Sequence, residues 1–589
     1  MRRERLRWSV VFLTIAAALL LVASASSDVG SGSGPPTSIG TGGAAASVEA
    51  IATQAAIDTL KDGGNAVDAA VAAAGVLGVT EPFSCGIGGG GFMVVRTAGG
   101  LVTTIDGRET APTAMTPTSF WVGSPLAPMP FNDARFSGLS VGVPGTVATW
   151  AEALERYGTM TLAQVLQPGI HVASDGFVVD QTFFDQTQQN VDYFDDVPAT
   201  AALFLDPDGT PRDVGSVFTN PELAATYERI AHLGPKGFYR GAVADALVNT
   251  VQHPVISPTA NHTWRPGVMG MRDLHTYVAP ERAPTHVNYR GLDVYSMGPP
   301  SSGGSTVGEA LNILEGYPLS SMTRVDALHY YLEASRYSFA DRNAYLADPD
   351  YFAVPLTGLL SKDYAATRRA LITPTAAPGA VPPGNPYPYN TGEAAATALQ
   401  SETTTHLTTS DRWGNVVSYT FTIESTGGSG LVVPGFGFLL NNELTDFNYD
   451  STTHPNRVEG GKRPRSSMSP TIVLDQGTPF LALGSPGGST IITTVLQILV
   501  DRLDQGMTLP QAILDPRASQ RNGVNTSAEP AFLASPDRAA LEARGHHFVD
   551  GGEIGAATGI EFLAGDGVLA AAEPVRRGGG SAMVEVPAP

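Results

Sequence analysis

Residues 402–430, ETTTHLTTSDRWGNVVSYTFTIESTGGSG, constrain this chain more than any other stretch. A β-branched run from Val416 to Ile423 alternates enough to predict a half-buried strand. Threonine dominates the approach to it: Thr403, Thr404, Thr405, Thr408 and Thr409, with Thr420 and Thr422 inside the run. One reading is plain β-propensity, since β-branched side chains suit a pleated surface. The other is chemical. A threonine becomes a nucleophile when its own α-amino group is free to act as the base. In mid-chain that requires a new N-terminus, so the chain would have to cut itself within this stretch.

The flanks suit either reading. Upstream, TPTAAPGAVPPGNPYPYN (373–390) is rich in Pro, Ala and Gly and predicts an exposed, mobile segment. Such a segment would let a cut chain end leave the neighbourhood of Thr404. Downstream, a strand from Thr471 to Leu474 precedes the turn Gly484-Ser-Pro-Gly487-Gly488-Ser489, which opens a predicted helix from Thr490 to about Leu503.

Among 589 residues there is one cysteine, Cys85, so no intrachain disulfide and no cysteine zinc site can form. In its apolar, Gly-rich context Cys85 reads as buried filler. The formal net charge of −21 argues against nucleic-acid binding through a basic surface. Arg2, Arg3, Arg5 and Arg7, the apolar run Trp8 to Val22 and the A-x-A site Ala23-Ser24-Ala25 predict an export signal over residues 1–25. The apolar run is short for a membrane span, which needs about 20 residues. Export to the periplasm or exterior is therefore expected, with an uncleaved anchor as the alternative. Residues 26–45 predict a flexible Gly/Ser linker. Helices are expected from Val48 to Leu60 and, apolar nearly all round and hence buried, from Val67 to about Leu77. Further helices are expected over Thr146 to Arg156, Leu162 to Ala173 and Pro221 to His232.

Two motif matches lack their proper setting. Gly86 to Gly91 fits G-x-G-x-x-G, but it leaves a helix and enters the strand Phe92 to Arg96, the reverse of a dinucleotide loop. Gly138-Leu-Ser140-Val-Gly142 fits a nucleophile elbow, yet no buried strand precedes it. Arg108 closes the strand Leu101 to Ile105 and is placed to meet a carboxylate with its planar fork. No His-Glu-x-x-His motif occurs and His546-His547 lacks spaced partners, so no metal is expected.

From about residue 46 to its end the sequence resembles the γ-glutamyltransferases, which are N-terminal-nucleophile hydrolases. The resemblance is carried by GGNAVDAAVAAAGVLGVTEP and GIGGGGFM (63–93), by Arg108-Glu-Thr-Ala-Pro112, by Pro299-Pro-Ser-Ser-Gly-Gly304, Ala340-Asp-Arg342 and Asp348-Pro-Asp350, by Thr404-Thr405-His406, and by Asn441-Asn-Glu443-Leu-Thr-Asp446 and Arg463-Pro-Arg-Ser466-Ser467. It implies an α/β (α+β) fold, the four-layer αββα sandwich. It implies a precursor cut between Thr403 and Thr404 into a large subunit, 46–403, and a small one, 404–589, that stay together as a heterodimer.

By motif position, Thr404 would be the nucleophile and Thr422 would orient its hydroxyl. The backbone N–H groups of Gly487 and Gly488, at a helix start, would form the oxyanion hole. Arg108, Ser466 and Ser467 would bind the substrate α-carboxylate. Glu424, Glu443 and Asp446 would surround its α-ammonium, and three acids around one ammonium imply that one is protonated. The partners implied are glutathione and other γ-glutamyl compounds, with amino acids or dipeptides as acceptors, and no cofactor. An amidohydrolase of the same fold acting on other acyl groups, such as a β-lactam acylase, and an exported non-catalytic binding protein are the alternatives. Only 20 positions separate Asp446 from Ser466, and the polar connection is too short for the lid that some family members fold over the donor. The chain resembles the lidless bacterial members.

Overall fold

Glycines 40, 42 and 43 decide how the fold begins. In the computed structural model, which describes residues 36–390 and 404–588, they belong to a strand, β1 (Thr37–Ser47). The linker reading of 26–45 therefore fails from Thr37 onward. At Gly40 any Cβ would lie 2.1 Å from the carbonyl oxygen of Val586, so only glycine lets the two backbones come that close. Composition suggested a tether; close backbone approach in mid-sheet explains the same residues.

The remaining strands of the main sheet are β2 (Gly90–Arg96), β3 (Val102–Gly107), β4 (Glu281–Arg282), β5 (Thr285–Tyr289), β6 (Leu292–Ser296), β7 (Thr405–Ser410), β8 (Val416–Thr422), β9 (Thr471–Asp475), β10 (Thr478–Gly484), β11 (Thr558–Phe562), β12 (Gly567–Ala572) and β13 (Ser581–Pro587). Among the described residues they form one 13-stranded antiparallel sheet in the order β4-β3-β2-β8-β7-β1-β12-β11-β10-β9-β6-β5, with β13 on β1. The sheet folds over, so that β7 and β8 face β10 and β11. Val94, Val416, Ile472, Leu474 and Ala482 fill part of the space between its halves.

Helices cover both outer faces. α1 (Ala50–Lys61) and α2 (Ala66–Thr80) pack with Thr146–Tyr157 and Pro221–Leu233 on the apolar faces of β2, β7 and β8. Every residue of α2 is buried, as its all-round apolar sequence requires. Its start is fixed by a reciprocal cap between Asn65 and Asp68. Gly303–Leu314, Arg324–Tyr345 and Thr490–Leu503 cover β5, β6, β9 and β10 on the other side. The result is the four-layer helix–sheet–sheet–helix sandwich.

Three further expectations change in detail. The helix over 162–173 is two pieces, Leu162–Val165 and Gln167–Asp175, separated at Leu166 just before Pro168. β8 is buried on both faces, not one. The 373–390 segment is largely surface-exposed yet pinned: Gly384 N–H donates to Asp341, Gly379 C=O accepts from Arg336, and Val381 N–H donates to Asn522. Residues 391–403, including Thr403, lie outside the described residues, as do residues 1–25, where an export signal is expected. Among the described residues no helix is long and apolar enough to cross a membrane.

Candidate active site

Thr404 is buried immediately ahead of β7, deep in the sandwich. β7 pairs with β8 in a register that sets Thr405 opposite Phe421; one step further brings Thr404 level with Thr422. Thr422 Oγ1 accepts the backbone N–H of Glu424 at 2.8 Å. His406 is held between Thr420 Oγ1 at 2.8 Å and Thr408 Oγ1 at 3.1 Å. Burial pushes its pKa down to about 3, so the imidazole is neutral and serves packing rather than acid–base work. Its ring lies against Gly484, where any Cβ would fall 2.3 Å from Cε1.

A hollow of about 390 Å³ opens beside Thr404, lined also by Thr426, Gly487, Ser489, Arg521 and Arg577. Gly487 and Gly488 both have positive φ, 124° and 60°, which turns the chain sharply into the helix Thr490–Leu503. That helix start, facing the threonine, is where the partial positive charge of a helix concentrates. Arg577 was invisible in the sequence reading, having no motif around it. It donates to the Thr404 carbonyl at 2.8 Å, to Glu81 at 2.7 Å and to Ser84 Oγ at 2.6 Å, and it adopts positive φ, 56°, to do so.

The other predicted residues gather in a second cluster. Arg108, 1% exposed, leaves β3 and donates through Nη1 to Glu443 and through Nη2 to Asp446. Its Nε and Nη2 also reach the carbonyls of Pro464 and Arg465, at 3.0 and 3.1 Å. The sequence reading set Arg108 and the two acids on opposite ends of a substrate head group; here they meet directly. Glu424 sits nearby with positive φ, 77°, and accepts from Ser425 Oγ and Asn442 Nδ2. Burial, reinforced by Asp446, pushes its pKa up to about 8. Glu109, next to Arg108, is another acid the sequence reading passed over. Among the described residues neither of its carboxyl oxygens has a hydrogen-bond partner, and burial pushes it up to about 8 as well, so it is mostly neutral near pH 7.

Ser466 and Ser467 follow Arg465 directly, which brings them beside this cluster. Ser466 Oγ accepts the N–H of Met468, and Ser467 Oγ accepts Arg342 Nη2 at 2.6 Å. The connection between Asp446 and Ser466 folds into the body of the protein: Phe447 and Val458 pack with Met115 and Phe120, Trp121 donates to the Tyr449 carbonyl, and Lys462 is buried against the Pro455 carbonyl. Ser140, the elbow candidate, sits in a short 3₁₀ turn and donates to the carbonyls of Arg135 and Ser137. It plays no part in either cluster.

Residues 52–583 match the family model described as gamma-glutamyltranspeptidase. The chain is 38% identical to the glutathione hydrolase proenzyme of Bacillus subtilis (strain 168), over 87% of each chain. It is 39% identical to the glutathione hydrolase proenzyme of Escherichia coli (strain K12), over 81% of this chain and 80% of that one. Among solved structures, a cephalosporin acylase from Bacillus halodurans superposes with a TM-score of 0.81 at 27% identity, covering 95% of this chain and 99% of that one.

Proposed function

The chain belongs to the gamma-glutamyltranspeptidase family, and from that premise we propose that it cleaves γ-glutamyl amides, glutathione among them, through an ester on Thr404. The observation that carries the reading is the placement of Thr404. It stands buried at the head of a central strand, level with Thr422, and shares a hollow with the Gly487 turn and a helix start.

Maturation comes first. The Thr404 hydroxyl attacks the carbonyl of Thr403, the peptide C–N bond breaks and so frees the Thr404 α-amine, and water then hydrolyses the resulting ester, releasing the Thr403 carboxylate and restoring the Thr404 hydroxyl. That amine, with a reference pKa of about 7.7–8.0, is matched to neutral pH as a general base. In turnover it takes the Thr404 hydroxyl proton as the oxygen attacks the γ-carbonyl. The N–H groups of Gly487 and Gly488 stabilise the oxyanion. The C–N bond breaks, the proton passes to the leaving nitrogen, and a γ-glutamyl ester remains. Water or an amino-acid amine then adds, the ester C–O bond breaks and Thr404 recovers its proton. Arg577, on the Thr404 carbonyl, disfavours the protonated amine and so keeps the base available.

Arg108 with Ser466 and Ser467 holds the α-carboxylate of the donor, and Asp446, Glu443 and Glu424 hold its α-ammonium. To do this Arg108 must share its fork between the two acids and the ligand. The short 447–465 connection, folded into the body, leaves the mouth open to water and to bulky donors. The likeness to a cephalosporin acylase keeps a second reading in view, cleavage of an acyl group lacking the α-ammonium. The acidic cluster favours the amino-acid head group. The test is an electrophoretic gel with N-terminal sequencing of the purified protein: two chains are expected, the smaller beginning at Thr404, and Thr404→Ala should stay whole. A Thr404→Ala protein that still splits at this bond removes Thr404 from the role.

A further inference from the structure

Two hollows meet at one wall. On one side of Ser489 and Arg521 lies the hollow that holds Thr404; on the other lies a larger one of about 610 Å³, and both residues line both spaces. The larger is within the usual size of a small-molecule site. Its surface is largely apolar and aromatic, from Met129, Phe131, Phe339, Phe447 and Tyr449. Arg108, Glu424, Glu443 and Asp446 line neither hollow, so the larger one is not formed by the residues assigned to the amino-acid head group.

The larger hollow is nonetheless tied to the catalytic region at two points. Phe447 follows Asp446 directly in the chain. Arg342, with its guanidinium carbon 5.4 Å from the Phe339 ring centroid, donates to Ser467 Oγ at 2.6 Å and to Ser302 Oγ at 2.9 Å. Arg521 stands at the junction of the two spaces and donates to Ser489 Oγ at 2.8 Å and Ser527 Oγ at 3.2 Å. A cation at the shared wall and an aromatic chamber beyond it match a carboxylate joined to an apolar ring.

We propose that this second hollow is the subsite for the amine half of the donor, and that it takes the side chain of an aromatic or large apolar amino acid while Arg521 meets that amino acid's carboxylate. The proposal rests on the γ-glutamyl reading above and names the leaving groups that site prefers. Burying one ring in such a chamber is worth roughly tenfold or more in kcat/KM.

The test uses the mature two-chain protein and three donors: γ-glutamyl-phenylalanine, γ-glutamyl-glycine and γ-glutamyl-phenethylamine, which keeps the ring but lacks the carboxylate. The phenylalanine donor should exceed the glycine donor by about tenfold or more in kcat/KM, and the phenethylamine donor should fall between them. Phe131→Ala should collapse the phenylalanine-to-glycine ratio toward one, and Phe131→Leu should keep most of it; Tyr449→Ala replaces Phe131→Ala if that variant does not fold. A ratio near one in the unaltered protein, or a ratio that survives the alanine variant that folds, overturns the subsite. So does a preference that follows an aromatic acyl group placed on the donor α-amine. Failure to cleave any γ-glutamyl donor would instead overturn the reading on which the subsite rests.

Discussion

At the scale of single residues the proposed function makes Arg108 and the acids the groups that hold the donor. Lysine at position 108 keeps a charge but loses the planar fork that reaches Glu443, Asp446 and two backbone carbonyls at once. Arg108→Lys should raise KM for γ-glutamyl donors by roughly tenfold or more, while cleavage at Thr404 proceeds, since processing needs no donor carboxylate. Donor kinetics compared with the extent of processing on a gel decides this. Glu424 gives a pH prediction. Its folded-state pKa is raised to about 8, so below that pH it is mostly neutral and resembles a glutamine. Glu424→Gln should therefore change donor KM less than about threefold near pH 7, and above pH 8 the wild type should bind donor better as its new charge meets the ammonium. The folded state keeps a proton that the unfolded chain has lost between its ordinary pKa and about 8. Wild-type stability should accordingly decline relative to Glu424→Gln as pH rises through that window. Denaturant midpoints at several pH values measure it.

At the scale of elements, strands and helices with strong patterns were legible and those built from small residues were not. α2 and the helix Thr490–Leu503 were readable because apolar residues and a preceding turn marked them. β1 was not, because Gly-rich sequence describes both a tether and a strand whose backbone must be approached closely. The alternation of Ser418 and Thr420 with apolar neighbours predicts a half-buried β8. In the fold they point between the two halves of the sheet, where Ser418 donates to the Leu483 carbonyl and Thr420 meets His406. The candidate site divides the same way. Thr404, Arg108 and the acids sit in recognisable phrases, whereas Arg577 and Arg521 acquire their contacts only through folding. The close fit of β10 on His406 makes a prediction at this scale. Gly484→Ala should destabilise the protein by roughly 1–3 kcal/mol, because the ring, fixed by two threonines, cannot move aside. Urea unfolding in a Thr404→Ala background would measure this free of any change in processing.

At the scale of the whole molecule the sheet interleaves what lies before residue 403 with what lies after it. β8 pairs with β2, β7 and β12 pair with β1, and β9 pairs with β6. Each of these ladders joins one prospective chain to the other. A cut at Thr404 would change the connectivity and leave every one of them in place. The two chains should co-purify without a disulfide and unfold together, as one calorimetric transition; two separate transitions, or dissociation in mild denaturant, would contradict this.

The position of Thr404 also bears on how the proposed maturation would run in time. If the cut is made by the Thr404 hydroxyl as proposed, it should follow folding, because Thr404 lies buried beside the central strands. The new terminus would then be uncovered in place, within one molecule. Such an event is unimolecular: its half-life should be the same in a crowded compartment and in a thousandfold dilution, and no second molecule can hurry it.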